Sequence, residues 1–326
     1  PYEDFSIPEL GLTTGIDEGT LVVRDAMTMY ITADRIDSLP ALCEGGGTPV
    51  SDDPELAFEV LWHTFEEQYA FFDLHGADWN AERDDYRDRV TSATTADELY
   101  GILCEMIAVL DDGHTSVSAS DSDSCSASET PAWLEEHEDA LVAIITDDYM
   151  SAQGATVTGN GQIAYRLLDE NTGYVLIVGM YGYGATPQEE LGGAGAVMDE
   201  IVAAFEGVDG VIVDVRFNPG GFDAVSLELA SRFADEPRLA FSKQARDGDG
   251  YTPLRGYEVA PRGGAQLEAD AVLLTSQLTG SAAEIVAMAM GALPQVTILG
   301  EATSGAHSDI LSRSLPNGFG FGLSNE

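Results

Sequence analysis

From Tyr174 to Leu299 the sequence alternates short β-branched runs with helical stretches, and this alternation constrains the fold more than any other feature. Tyr174 to Val178, Val211-Ile212-Val213-Asp214-Val215, Ala271 to Thr275 and Val296-Thr297-Ile298-Leu299 read as buried strands. Helices are expected over about 187–206 and 223–234, and from Ser281 to about Leu293. Near-continuous apolar strands separated by helices imply a partly parallel sheet covered by helices, an α/β architecture.

The upstream half differs. A chain of 326 residues exceeds what one compact core usually holds, so more than one packed unit is expected. Residues 1–50 carry short β-type runs such as Thr20-Leu21-Val22-Val23 and Met29-Tyr30-Ile31-Thr32, a small β-rich unit ending near Gly45-Gly46-Gly47 and Pro49. Residues 51–112 read as helical. Asp53-Pro54 supplies an N-cap and a first-position proline for a helix through about Phe72. A second helix runs from near Trp79 to Val90. A third starts near Thr95, with Glu98 as its capping-box partner, and reaches about Leu110. Residues 113–326 form the α/β core, with a Ser- and Asp-rich loop at 118–130 and a helix over about 131–145. No fixed-period repeat is present.

The charge is extreme: 57 Asp plus Glu against 14 Lys plus Arg give a formal charge of -43. Such a surface repels nucleic acid and anionic lipid, which excludes both as partners. No apolar run approaches a membrane span. The acidic start Pro-Tyr-Glu-Asp lacks the basic and apolar stretches of a signal peptide, so either there was no signal or this is a mature form that has lost it; the expectation is a secreted or periplasmic mature form. Lys243 is the only lysine. Of the three cysteines, Cys104 reads as buried filler in a helix. Cys43 and Cys125 lie in loop-like segments, and a bridge between them and two free thiols fit equally well.

Three segments carry chemistry. In Leu278-Thr279-Gly280-Ser281-Ala282-Ala283-Glu284 a buried strand turns sharply into a helix. Ser281 sits at the helix start, where free N–H groups such as that of Ala282 favour an anion. Taken alone, a plain N-cap with Glu284 closing a capping box explains this segment better. In Asp214-Val215-Arg216-Phe217-Asn218-Pro219-Gly220-Gly221 a strand enters a Gly-Gly turn. Pro219 has no N–H, so Gly220 or Gly221 must be the donor. In Asp111-Asp112-Gly113-His114-Thr115 a helix ends and His114 opens a strand, where it could serve as a general base or simply face solvent. Asp247-Gly248-Asp249-Gly250 lacks the remaining ligands of a calcium loop and reads as a hairpin turn.

Together these segments, with Leu299-Gly300-Glu301-Ala302-Thr303-Ser304-Gly305 and Leu315-Pro316-Asn317-Gly318, resemble the tail-specific, tricorn-like serine peptidases over about residues 55–326. The resemblance implies a ClpP/crotonase-like core preceded by a helical lid. It implies hydrolysis of peptide bonds in peptides or unfolded proteins through an acyl-enzyme, with no metal or organic cofactor. It implies Ser281 as nucleophile and His114 as base, and an oxyanion hole from the N–H groups of Gly220, Gly221 and Ala282. One branch of the family uses a lysine after the serine. Thr303-Ser304-Gly305-Ala306-His307 contains none, so composition excludes that mechanism; His307 is the alternative base. The tricorn branch has a serine before its histidine, where this chain has Gly113. The family's supporting Glu follows the Leu-Pro-x-Gly strand, close to where this sequence stops at Glu326, so the expectation is either that the tail is missing or that another group does its job, with Glu301 and Glu326 as candidates. The interval from Val117 to Tyr174 is too short for a PDZ module.

Two rival functions share this fold, a non-catalytic binder of apolar ligands and an esterase on the same acylable serine. The charge also generates a test of its own. Self-repulsion is screened as salt rises, so the melting temperature is expected to climb between low and molar sodium chloride. Thermal unfolding in a chloride series measures it, and a flat or falling curve contradicts a halophilic surface.

Overall fold

The computed structural model describes residues 5–7, 12–17, 20–24, 30–33, 36–38, 50–120, 122–128, 131–306 and 308–326. The chain divides into two compact units. The first comprises residues 1–36, 137–242 and 256–307.

At the centre of the first unit is a six-stranded sheet. Its order is Val296–Gly300, Asp270–Thr275, Gly210–Asp214, Thr172–Ile177, Ile163–Leu167 and Thr156–Thr158. The first four strands run parallel; the last two pair antiparallel. Val213 lies opposite Val175 on one side and Leu273 on the other. The expected α/β architecture with a partly parallel sheet is therefore present. Ile163–Leu167 and Thr156–Thr158 escaped the sequence reading, because their small and polar residues show no sustained apolar run.

Helices Pro187–Ala204, Asp223–Ala230 and Ala282–Gly291 contribute to the same core, where Met198, Ile201, Phe205, Val225, Ile285 and Val286 are buried. The first is set by its own sequence. Thr186 is the N-cap, its hydroxyl accepting the Glu189 N–H at 3.3 Å, and Pro187 occupies the first turn. Close packing fixes Gly173, since a Cβ there would lie 2.6 Å from the Phe205 ring. The N-terminal segment forms the expected small β unit, an antiparallel four-stranded sheet of Phe5–Ile7, Leu12–Asp17, Thr20–Arg24 and Tyr30–Ala33. Gly45-Gly46-Gly47, Pro49 and Cys43 lie outside the described residues.

The second unit comprises residues 37–136, 243–255 and 308–326. Helix Pro54–Gln68 starts where Asp53 accepts the Glu55 N–H at 3.0 Å. It stops before Phe72 because Tyr69 turns extended and its hydroxyl donates to Asp112 at 2.9 Å. Trp79–Arg87 follows, and Thr95 with Glu98 forms the expected capping box of helix Ala96–Ile107. Phe58, Leu61, Phe65, Leu103, Met106 and Ile107 bury their side chains with Val117, Phe321 and Leu323. The last three belong to an antiparallel sheet ordered Ile310–Ser314, Gly320–Ser324, Ser116–Ser118 and Ser124–Ser126. Asp247 and Gly250 pair across a hairpin turn, as expected. Among the described residues no helix is long and apolar enough to cross a membrane.

One expectation is corrected here. Cys125 is bonded to Cys104. Cys104 lies in the last turn of helix Ala96–Ile107, and Cys125 in a strand packed against that helix. Cys104 is a bridge partner, not filler. The bond closes a loop between positions 21 residues apart, which is expected to stabilise the fold by about 3 kcal/mol. Urea denaturation of Cys104→Ala should show a correspondingly lower midpoint; an unchanged midpoint would show that the bridge is energetically idle.

Candidate active site

Ser281 is held in an unusual backbone conformation, φ 53° and ψ -126°. For a residue with a side chain this region costs on the order of 1–3 kcal/mol and persists only where surroundings over-determine it. Sharp strand-to-helix turns of this kind present nucleophiles in hydrolases.

The over-determination is visible in the first unit. Thr279 is fully buried, and its hydroxyl donates to the Val215 carbonyl at 2.9 Å and accepts the Ser276 N–H at 3.0 Å. Gly280 N–H donates to the Asn218 carbonyl at 3.0 Å. The Ser281 N–H donates to Glu284 Oε2 at 3.0 Å. That buried carboxylate also accepts the Ser304 hydroxyl at 3.2 Å and the Gly305 N–H at 2.8 Å. Glu284 thus does more than cap a helix: it ties the serine turn to the loop after the last parallel strand. The sequence signal was present, a Glu three residues after the serine.

The Gly-Gly turn packs against this corner. Asn218, fully buried, donates through Nδ2 to the Ile177 carbonyl at 3.1 Å and accepts the Gly220 N–H on Oδ1 at 2.9 Å. Gly220 and Gly221 have φ of 115° and 144°, which side chains rarely adopt. A Cβ on Gly220 would lie 2.5 Å from Ser281 Cβ and 2.9 Å from the Ala282 nitrogen. A Cβ on Gly221 would meet the Met180 carbonyl oxygen at 2.4 Å. The structure therefore brings Ser281, Ala282 and Gly220 together, with Gly221 next in line. Of the three expected oxyanion donors, Gly220 has its N–H already engaged by Asn218 Oδ1.

Asp214 anchors the start of the turn motif. Fully buried, it accepts the Tyr174 hydroxyl at 2.7 Å and a forked pair of bonds from Arg216 at 2.9 and 2.6 Å. Burial, reinforced by the Asp214 charge, pushes the Tyr174 hydroxyl well above its ordinary range. Glu301 is exposed at the edge of the same unit, where its carboxylate accepts the Gln277 N–H at 3.5 Å.

His114 lies in the second unit, in the turn that opens strand Ser116–Ser118. Its N–H donates to Asp112 Oδ1 at 2.9 Å. Asp112 is buried and also accepts the hydroxyls of Ser324 at 3.1 Å and Tyr69 at 2.9 Å. The ring's Nδ1 faces the Ser308 carbonyl oxygen at 2.5 Å. A carbonyl only accepts, so Nδ1 carries the proton and Nε2 presents the lone pair, the tautomer a general base requires. Glu326 is in this unit too, where its carboxylate receives Lys243 Nζ at 2.9 Å. His307 lies outside the described residues.

Residues 171–326 match the family model for peptidase family S41, and residues 51–108 match that for the Tricorn protease C1 domain. The chain belongs to the tail-specific, tricorn-like serine peptidases. No curated protein matches this peptidase. Among solved structures it is similar to a provisionally assigned peptidase from Parabacteroides merdae, with 28% identity over 84% of this chain and 83% of that one, at a TM-score of 0.70. Two further likenesses concern the fold alone. A lipoprotein from Streptococcus agalactiae is 15% identical, covering 86% and 87% of the two chains at a TM-score of 0.54. Mature CPAF is 12% identical, covering 84% and 88% at 0.57.

The contact between the two motifs is testable in the peptidase. Gly220→Ala should displace the Ser281 corner, and a misplacement of about 1 Å costs roughly 100-fold in turnover. Steady-state kinetics on a peptide substrate, with circular dichroism as the folding control, measure it. A folded Gly220→Ala protein with full activity would disconnect this glycine from the site.

Proposed function

We propose that this serine peptidase cleaves peptide bonds through an acyl-enzyme on Ser281, with His114 as the general base. Ser281 Oγ attacks the scissile carbonyl carbon while His114 Nε2 takes its proton. The developing oxyanion is met by the backbone N–H groups of Ala282 and Gly221, the Gly220 N–H being held by Asn218, and is aided by the positive end of helix Ala282–Gly291. The protonated His114 then passes its proton to the departing amine, and water repeats the sequence to release the acid. The observation that carries this reading is the strained Ser281 backbone at a helix start, packed directly against Gly220.

The substrate is a peptide or an unfolded protein segment, cut internally or near its carboxyl end. The site of action is outside the cytoplasm, a reading supported by the Cys104–Cys125 bridge, since disulfides persist in oxidising compartments.

Loss of a nucleophile typically costs on the order of a millionfold in rate, and residues acting as a unit cost about the same singly. Ser281→Ala and His114→Ala should both reduce peptide turnover to that extent, and His307→Ala far less. Retention of a few per cent of activity in the serine variant would overturn the assignment. So would a dead His307 variant beside an active His114 variant.

A further inference from the structure

Lys243, the chain's only lysine, is buried in the second unit, its side chain 7% exposed. Its ammonium donates to Asp309 Oδ2 at 3.2 Å and to Glu326 Oε1 at 2.9 Å. A lysine is rarely buried unless its charge is paired. Here the paired group leads directly to His114. Asp309 follows Ser308, whose carbonyl receives the His114 ring. The Ser308 hydroxyl is fixed on both sides, donating to the Asp309 carbonyl at 2.9 Å and accepting the Glu326 N–H at 3.3 Å. The residue whose carbonyl fixes the His114 tautomer is thus tied to the backbone of Asp309 and Glu326, the two residues whose carboxylates receive the lysine.

We propose that Lys243 and Asp309 form a charge pair that sets the proton affinity of His114, with Asp309 as a positioning residue for the imidazolium formed during the reaction. In a serine–histidine–carboxylate arrangement the carboxylate receives Nδ1–H itself. Here a backbone carbonyl occupies that place, and a carbonyl has no net charge with which to balance the imidazolium. Asp309 supplies it from the next residue.

Electrostatics support this geometry. Burial pushes the Glu326 carboxyl up to about 7, and its hydrogen bond to Asp309 pushes the same way, against the pull of Lys243. Crowding works against the charge on Asp309, but the bond from Glu326, the Lys243 ammonium and His114 together hold its carboxyl below the ordinary range. Of the two carboxylates that receive Lys243, Asp309 is therefore the charged one. The Asp309 anion follows the residue whose carbonyl receives the His114 ring, and an anion placed there favours a charge on the ring. The Asp309 side chain is 56% exposed despite the protein density around it. The open face governs screening, so a modest effect is expected. Among the described residues Asp112 also bonds His114, through its backbone N–H, and is tied to Tyr69 and Ser324.

The inference rests on His114 being the base, but its test reads the ring directly. The His114 ring resonance is titrated by NMR in a Ser281→Ala background, alone and with Asp309→Asn or Lys243→Met. Removing the anion should move the midpoint down, and removing the cation should move it up, each by about half a pH unit. The acid limb of the kcat/KM profile in the Ser281 enzyme should move the same two ways. Opposite shifts are the signature of the charge pair. Unmoved midpoints, or shifts in one direction for both variants, overturn it, because general loosening of the turn has no reason to invert sign. Asp309→Asn alters an exposed side chain and is expected to fold; should Lys243→Met fail to fold, an unmoved midpoint in Asp309→Asn is sufficient to overturn the proposal. An active His114→Ala enzyme would instead sink the assignment of the base and leave the ring titration to be read on its own.

Discussion

Everything at the serine corner depends on keeping one residue in a conformation it would not choose. The φ of 53° at Ser281 is maintained by bonds that converge from three directions. Thr279 reaches back to the Val215 carbonyl, Gly280 is tied to Asn218, and Glu284 grips the Ser281 N–H. Each of these partners is buried, so breaking any one leaves a polar group without water to replace it. The parallel sheet supplies the rigidity. Strands Gly210–Asp214 and Asp270–Thr275 are neighbours, and the two turns that follow them therefore emerge side by side. Ligand sites at the carboxyl ends of adjacent parallel strands arise from this geometry.

The elements that built this corner were legible in the sequence for a definite reason. Strands buried on both faces must be apolar nearly throughout, and Val211-Ile212-Val213 or Ala271-Val272-Leu273-Leu274 has few other readings. Pro187, Asp53 and Thr95 mark helix starts through local chemistry alone. The antiparallel strand Ile163–Leu167 was illegible because its Ala, Tyr and Arg carry no comparable signal. Helix Pro54–Gln68 was read too long because its end is decided by the distant partner of Tyr69, not by a local stop residue.

Other features lie beyond a local reading for the same reason. Cys125 could not reveal its partner, since a cysteine in a helix looks apolar until the strand packed against it is known. Glu284 was seen as a capping residue, and its bonds to Ser304 and Gly305 depend on a loop from the far side of a strand. Lys243 precedes the serine in the chain, and the sequence reading sets it aside as a base on that ground. Nothing in its surroundings, Ser242 and Gln244, hints that it is buried with two carboxylates.

The burial of Lys243 has a consequence for the chemistry of the whole surface. No other lysine exists, so every cationic side chain that meets solvent is a guanidinium or an imidazole. Guanidinium groups keep their charge through any alkaline range a protein survives. Raising the pH above neutrality therefore strips almost no positive charge from this protein, where an ordinary acidic protein would become steadily more anionic as its lysines discharge. The same composition denies lysine side chains to acylating agents, aldehydes and sugars, which attack exposed amines. The molecule is in this sense inert to side-chain amine chemistry, and its complement of positive charge in base is almost constant.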